Sequence, residues 1–388
     1  MSFTVKTGVQ YSGIWSLSGQ ANAKALGTWP VAYSTGGLWT WGLNSGGVLG
    51  LGNTTSYSSP KQVGSLTTWI KSSIGSGHGL AVKNDGTLWS WGGSSFGALG
   101  LNNITYYSSP KQVGSLTNWL NISAGRGCSF AIKTDGTLWS WGWGSSGQLG
   151  LGSTTNYSSP KQVGSLTTWL QIATNYTSAN IAAVKTDGTL WTWGLGTLGG
   201  LGLGNVTNYS SPKQVGLLTN WLQVTSLYQA AIAVKTDGSL WSWGRGAYGG
   251  TAQASGNYSS PKQIGLLTNW SSVNGGGYYA FATAVKTDGT LWSWGSNTDG
   301  CLGLGNITSY DSPKQVGALT TWLKTIGTYT TSLAIKKDGT LWSWGNNLQG
   351  QLGLNNRTNY SSPKQVGSLA GWISTSLAGG QGTVIAIR

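Results

Sequence analysis

Few side chains here can move a proton or hold a metal. The 388 residues include eight Asp, no Glu and one histidine, His78. Six of the acids, Asp85, Asp135, Asp187, Asp237, Asp288 and Asp338, recur in one motif, Lys-x-Asp-Gly-x-Leu-Trp. Asp-Gly between two strand-like runs predicts a two-residue type I′ turn, so those acids have a structural cause. Asp299, Asp311 and His78 remain. Acid–base pairs, activated nucleophiles and metal clusters each need several such groups to converge. The pattern therefore predicts a non-catalytic protein with no cofactor and no bound metal. Cys128 and Cys301 share no spacing and predict two buried thiols, not a metal knuckle or disulfide framework.

Recognition chemistry is better supplied. Tyr57, Tyr107, Tyr157, Tyr209, Tyr258, Tyr310 and Tyr360 each precede a repeated proline by three residues. Lys61, Lys111, Lys161, Lys213, Lys262, Lys314 and Lys364 each follow it directly. Rings of aromatic and ammonium groups suit glycans or anionic polymers. The same pattern serves a scaffold, with Tyr packing a loop and Lys guarding a strand edge, and a feature present in every repeat favours that reading. The repeats differ most in two patches, one after a repeated Trp (GSGHG, GRGCS, NYTSAN, SLYQA) and one after Leu-Trp-x-Trp-Gly (GSSFG, WGSSG, RGAYG). Variable loops on a rigid frame carry recognition. Their Arg126, Tyr176, Tyr228, Arg245, Tyr248, Tyr278, Tyr279 and Tyr329 are the expected ligand contacts, although drift in unconstrained loops leaves the same pattern.

The frame beneath these loops follows from composition and period. Charged residues are only 8% of the chain, while Gly numbers 64, Trp 24 and Tyr 16. Exposed helix faces normally carry Glu, Lys, Arg and Ala, so an all-β chain with a large aromatic core is expected. Three landmarks each occur seven times, 49 to 52 residues apart. The Leu-Trp motif falls at Trp39, Trp89, Trp139, Trp191, Trp241, Trp292 and Trp342. A proline falls at Pro60, Pro110, Pro160, Pro212, Pro261, Pro313 and Pro363. A further Trp falls at Trp69, Trp119, Trp169, Trp221, Trp270, Trp322 and Trp372. That period is a propeller blade's. Each unit holds four short strands, and the Lys-Gln-Val strand after the proline belongs on the outer edge. The prediction is a seven-bladed β-propeller of four-stranded blades over residues 31–388, its Trp side chains in the core. The end, Ala386-Ile387-Arg388, matches the strand before each Asp-Gly turn, so it should pair with Leu38–Gly42 and close the ring.

Asp-Gly-x-Leu-Trp-x-Trp-Gly followed by Gly-x-Leu-Gly-Leu-Gly resembles the regulator-of-chromosome-condensation repeat family across residues 31–388. Blade five departs, with Gly249-Gly250-Thr251-Ala252-Gln253 in the second motif. The resemblance implies a seven-bladed propeller, and it implies no single function, since family members include nucleotide-exchange factors, photoreceptors and binding modules. Of the histidines many members place before the Ala-x-Lys strand, only His78 is present. The Gly-Trp-Arg-His motifs of the ultraviolet-B photoreceptor branch are absent.

These readings predict a recognition or structural module that binds a protein or a glycan, displayed on a virion or extracellular surface. The Ser-, Thr-, Asn- and Gly-rich low-charge composition motivates that expectation. Residues 1–30 form an extension or docking arm, with other virion proteins as its possible contacts. The alternative is a cytoplasmic regulator that binds a small GTPase or chromatin. The net charge of +14 permits anionic partners. Residues 1–30 hold only Lys6 and Lys24, so nucleic acid is not expected as a partner. No apolar run approaches the ~18 residues of a membrane span.

Overall fold

The repeated motif folds outward from its turn. Lys83 N donates to Thr87 O at 3.1 Å and Gly86 N to Lys83 O at 2.9 Å, joining strands His78–Lys83 and Leu88–Gly92. Only Gly86 has positive φ, +79°, whereas a type I′ turn needs it at both central residues. The turn is therefore not the expected type, and its glycine is fixed by crowding as well as by φ. A Cβ there would lie 2.0 Å from Thr117 O. Asp85 Oδ1 accepts from the Thr87 amide and hydroxyl at 2.9 and 2.7 Å, and the Thr87 hydroxyl accepts from Trp89 Nε1 at 2.9 Å. Hydrogen bonds of this kind hold the Asp237, Asp288 and Asp338 carboxyls below the usual carboxylate range.

A computed structural model describes residues 34–177, 179–253, 256–276, 280–373, 378–380 and 382–388. They form seven antiparallel sheets of four strands. Blade two is typical. From the centre outward it runs Trp69–Ile74, His78–Lys83, Leu88–Gly92 and Tyr107–Gln112. Each inner strand touches the next, and the last touches Ala378–Gly379, which touches Trp69–Ile74. That is a closed ring. The proline lies inside the outermost strand, where irregular pairing makes no demand on the missing N–H.

Blade one joins the two ends of the chain. Thr383–Ile387 pairs with Leu38–Gly42, with Leu38 opposite Ile387 and Gly42 opposite Thr383. Gly37 N donates to Arg388 O at 2.7 Å, and Arg388 N to Gly37 O at 3.0 Å. The predicted closure is the one observed. Residues 1–30 and Val31–Tyr33 lie outside the described residues.

Tryptophan holds blade to blade. Trp41, Trp91, Trp141, Trp193, Trp243, Trp294 and Trp344 are fully buried. Trp141 Nε1 donates to Ala98 O of blade two at 2.9 Å, and four other blades repeat that bond to a non-glycine carbonyl while Trp294 uses Gly250 O. Its indole lies against Gly100, at φ +72°, where a Cβ would be 2.7 Å from the ring nitrogen. The inner-strand indoles add edge-to-face contacts, such as Trp169 to Trp193 at 5.9 Å. One expectation needs correction. The first Trp of each Leu-Trp-x-Trp, such as Trp139, is only half-buried. Lys133 covers it, with Nζ 3.8 Å from the Trp139 ring and 5.0 Å from Trp119. Five other blades repeat this with Lys, and Arg388 stands over Trp39 in blade one.

Blade five places Ala252 at φ +51° against Trp294, where its neighbours use glycine. A left-handed alanine costs roughly 1–2 kcal/mol, partly offset by the lower entropy of its unfolded state. Ala252→Gly should therefore stabilise the ring by about 0.5–1 kcal/mol, whereas Gly100→Ala should destabilise it by about 2–4 kcal/mol through strain and overpacking. Denaturant melts of the two variants check this pair.

Candidate functional site

Strand direction decides which loops share a face. The inner-to-second and third-to-outer connections leave from one end of every blade, and the Asp-Gly turns occupy the other. Both variable patches therefore lie on a single loop face.

The structure gathers the expected contacts into three groups. In blade three, exposed Arg126 stands over the Trp143 ring at 5.3 Å. In blade five, Arg245 stands over Tyr228 at 5.2 Å. These are equivalent positions with ring and cation exchanged. At the centre, Tyr176 of blade four meets Tyr329 of blade seven, ring centroids 6.3 Å apart. Those blades are nearly opposite, so the two rings cross the channel mouth. Tyr248 sits on the single turn Ala247–Gly249. Tyr278 and Tyr279 lie outside the described residues.

Two more aromatic residues lie on the same face as the blade-three pair. The Phe96 ring stacks on Trp143, centroids 5.9 Å apart. Phe96 is 51% exposed and holds φ +60°, a conformation that bulky residues avoid. Gly127 lies between them, where a Cβ would meet both Phe96 and Trp143 at 3.6 Å. Tyr106 is 57% exposed and its hydroxyl bonds Ser95 at 3.1 Å. In the other six blades this position is Ser or Asn, whose side chain accepts from the backbone N–H opening the loop. Asn156 to Gly144 N, at 2.8 Å, is one case. Blade two gives up that cap to present an aromatic ring. A reading based on Tyr and Arg in variable patches misses Phe96, Tyr106 and Trp143. Their signal was departure from the frame. Outside the framework tryptophans the chain has Trp15, Trp29 and Trp143, and only Trp143 falls within the repeats.

The rim rings behave as scaffold. Each proline-flanking Lys stands over the Tyr of its own strand, at 3.9 Å in blade five and 5.3–5.7 Å elsewhere.

Family models for the regulator of chromosome condensation repeat match residues 35–82, 85–132, 135–176, 187–228, 288–326 and 338–387, and a second model of the same description matches 70–98 and 119–148. The chain belongs to the regulator-of-chromosome-condensation repeat family. The longest unmatched stretch, 229–287, contains the departing motif of blade five. Among solved structures, Prp20p of Saccharomyces cerevisiae is 19% identical with TM-score 0.79, covering 91% of each chain. Yeast RCC1 (Prp20) bound to Kap60 is 19% identical with TM-score 0.82, covering 100% of this chain and 97% of that one. Human WBSCR16 is 19% identical with TM-score 0.81, covering 91% and 98%. At this identity the likeness establishes the fold. No curated protein matches the sequence.

His78, at the position where many members of the repeat family carry histidine, is buried between blades two and three. Its Nε2 pairs with the Ser129 hydroxyl at 2.8 Å, and that hydroxyl donates to Ala98 O. The arrangement ties two blades together. Cys128 and Cys301 are also buried and unpaired, and burial pushes the Cys128 thiol up to about 12.

Burial lowers the His78 pKa to about 4. The unfolded chain, with an ordinary histidine, binds the extra proton between pH 6.5 and 4, so stability falls as pH drops through that window. The loss should reach on the order of 3 kcal/mol. The lowered aspartates lose their contribution only at lower pH, and His78 is the one histidine. His78→Asn, which copies Asn180 of blade four, should flatten the limb between pH 6.5 and 4 in chemical denaturation.

Proposed function

We propose that this protein is a non-catalytic binding propeller whose loop face takes a protein partner at the cluster of Phe96, Tyr106, Trp143 and Arg126. The carrying observation is Tyr106. One blade of seven abandons its backbone cap and places an aromatic ring in solvent, and the same blade presents Phe96 as a second exposed ring. Departures from what the frame needs are expected at functional sites. Aromatic residues with Arg are the composition of protein-binding hot spots.

Charge narrows the partner to an acidic surface. The net charge is +14. Seven lysines pair with rim tyrosines and six lie over framework tryptophans, so the loop face is left with scattered arginines, chiefly Arg126 and Arg245. That is no track for a nucleic-acid backbone, which needs a stripe of cations. It suits an acidic protein patch.

Two readings of the partner follow from the relatives. Prp20p is described by its binding to Gsp1p and histones, and yeast RCC1 by its complex with Kap60. Protein partners of that kind favour a regulator inside the cell over a virion or surface-displayed glycan binder. Among them, this chain's charge favours an acidic protein over a basic one such as a histone. Affinity capture from the source cell, with the Arg126→Ala/Trp143→Ala variant as comparison, tests the reading. A partner retained by the wild type should fall at least tenfold with the variant, whose melting curve should stay within a few degrees. Undiminished capture by the variant, or capture of glycan or DNA alone, would count against it.

A further inference from the structure

Six blades satisfy and cover the first Trp of Leu-Trp-x-Trp in the same way. The Thr or Ser after the Asp-Gly turn accepts from its Nε1 at 2.8–3.0 Å. A Lys Nζ then lies 3.6–3.8 Å from the centre of its ring. Blade one departs on both counts. Thr35-Gly36-Gly37 stands where the others have Asp-Gly-Thr or Asp-Gly-Ser, so glycine replaces the accepting residue. Among the described residues nothing else accepts from Trp39 Nε1. The cation has also drawn back. Arg388 Cζ is 5.9 Å from the Trp39 ring, and its Nε is turned away to donate to Ala370 O at 3.0 Å.

A cleft of about 440 Å³ opens where these two departures meet, between blades seven and one. Trp39, Leu354, Leu369 and Trp372 supply apolar wall, and Arg388 is the one charged residue in the lining. Trp39 is half-buried, and it meets buried Trp372 with centroids 6.3 Å apart and planes at 69°. Two rings set edge to face make a notch in which a third can stack on one and meet the other's edge. Volume and lining suit a small ligand, since such sites are mostly apolar with a few placed polar groups.

We propose that this cleft binds a small aromatic carboxylic acid. Its ring lies on the face of Trp39 that a lysine would otherwise cover. Its carboxylate takes the terminal nitrogens of Arg388, which form a planar fork matched to two carboxylate oxygens. The indole N–H is the second donor, left over because position 37 carries no hydroxyl. Both donors belong to one corner of the cleft, because the guanidinium stands over the same ring whose N–H is free. A cavity filled by a hydroxyl and a closer cation in other blades is here left for a ligand. The cleft lies apart from the loop-face cluster of blades two and three and does not rest on the protein-partner reading.

Ligand-detected NMR titration of the full chain at low salt, with phenylacetate in one arm and neutral phenylacetamide in the other, tests the proposal. Phenylacetate should saturate one site and bind at least tenfold more tightly than the amide. Arg388→Met should remove that preference. Gly37→Thr should weaken the acid at least tenfold, because a Cβ there falls 3.2 Å from Trp39 Nε1 and displaces only the end of Gln62. Arg126→Ala, on the loop face, should bind as the wild type does. A further measurement needs no variant: photolysis with 4-azidophenylacetate should label the peptides holding Trp39 and Leu354–Trp372, read by mass. Absence of saturation, equal affinity for acid and amide, undiminished binding by folded Gly37→Thr, or label spread evenly over all seven joints would each overturn the site.

Discussion

An indole resting on a left-handed glycine of the preceding blade is the contact from which the rest follows. Trp141 over Gly100, with its ring N–H on Ala98 O, buries a large apolar surface and satisfies its one donor in the same place. Neither half works within a single blade. The third strand supplies the ring and the neighbouring blade supplies the glycine and the carbonyl, so a blade is stable only between two others. Trp243 keeps the position but leaves its buried N–H without a partner. The frame absorbs one such loss because six equivalent joints remain.

That redundancy explains where the sequence departs from its own pattern. A cap missing beside Tyr106 or a left-handed alanine at position 252 draws on stability that the other blades provide. The half-exposed first tryptophans show the same economy. A lysine stem laid between two indoles covers apolar surface while its ammonium group faces an electron-rich ring. Much of the chain's positive charge is thereby spent inside the scaffold, and what is left on the loop face is sparse and specific.

The architecture was legible because its causes are local and repeated. Proline marks the outer strand through its missing donor, and Ala386-Ile387-Arg388 declares its place by matching the strand before each Asp-Gly turn. The turn type was misjudged because Asp-Gly reads as a two-residue hairpin, while the Lys83 and Thr87 backbone groups enclose a longer loop. The half-exposure of Trp139 depends on how sheets splay outward from the axis, which no local pattern encodes. Variability in their loops is what drew attention to Arg126, Tyr228 and Arg245, which the fold places on one loop face beside aromatic rings. Phe96, Tyr106 and Trp143 were passed over because their signal lies in what they replace. The meeting of Tyr176 with Tyr329 joins nearly opposite blades, which no local pattern encodes.

Blade one has a consequence for the order in which the molecule is made. Its Thr383 hydroxyl bonds Leu43 O across 340 residues of chain. As the polypeptide leaves the ribosome, Leu38–Gly42 emerges early and must wait for almost the whole remaining sequence before its inward neighbour exists. Until then the nascent arc carries an unpaired strand edge at its start, open to the matching strand of another copy.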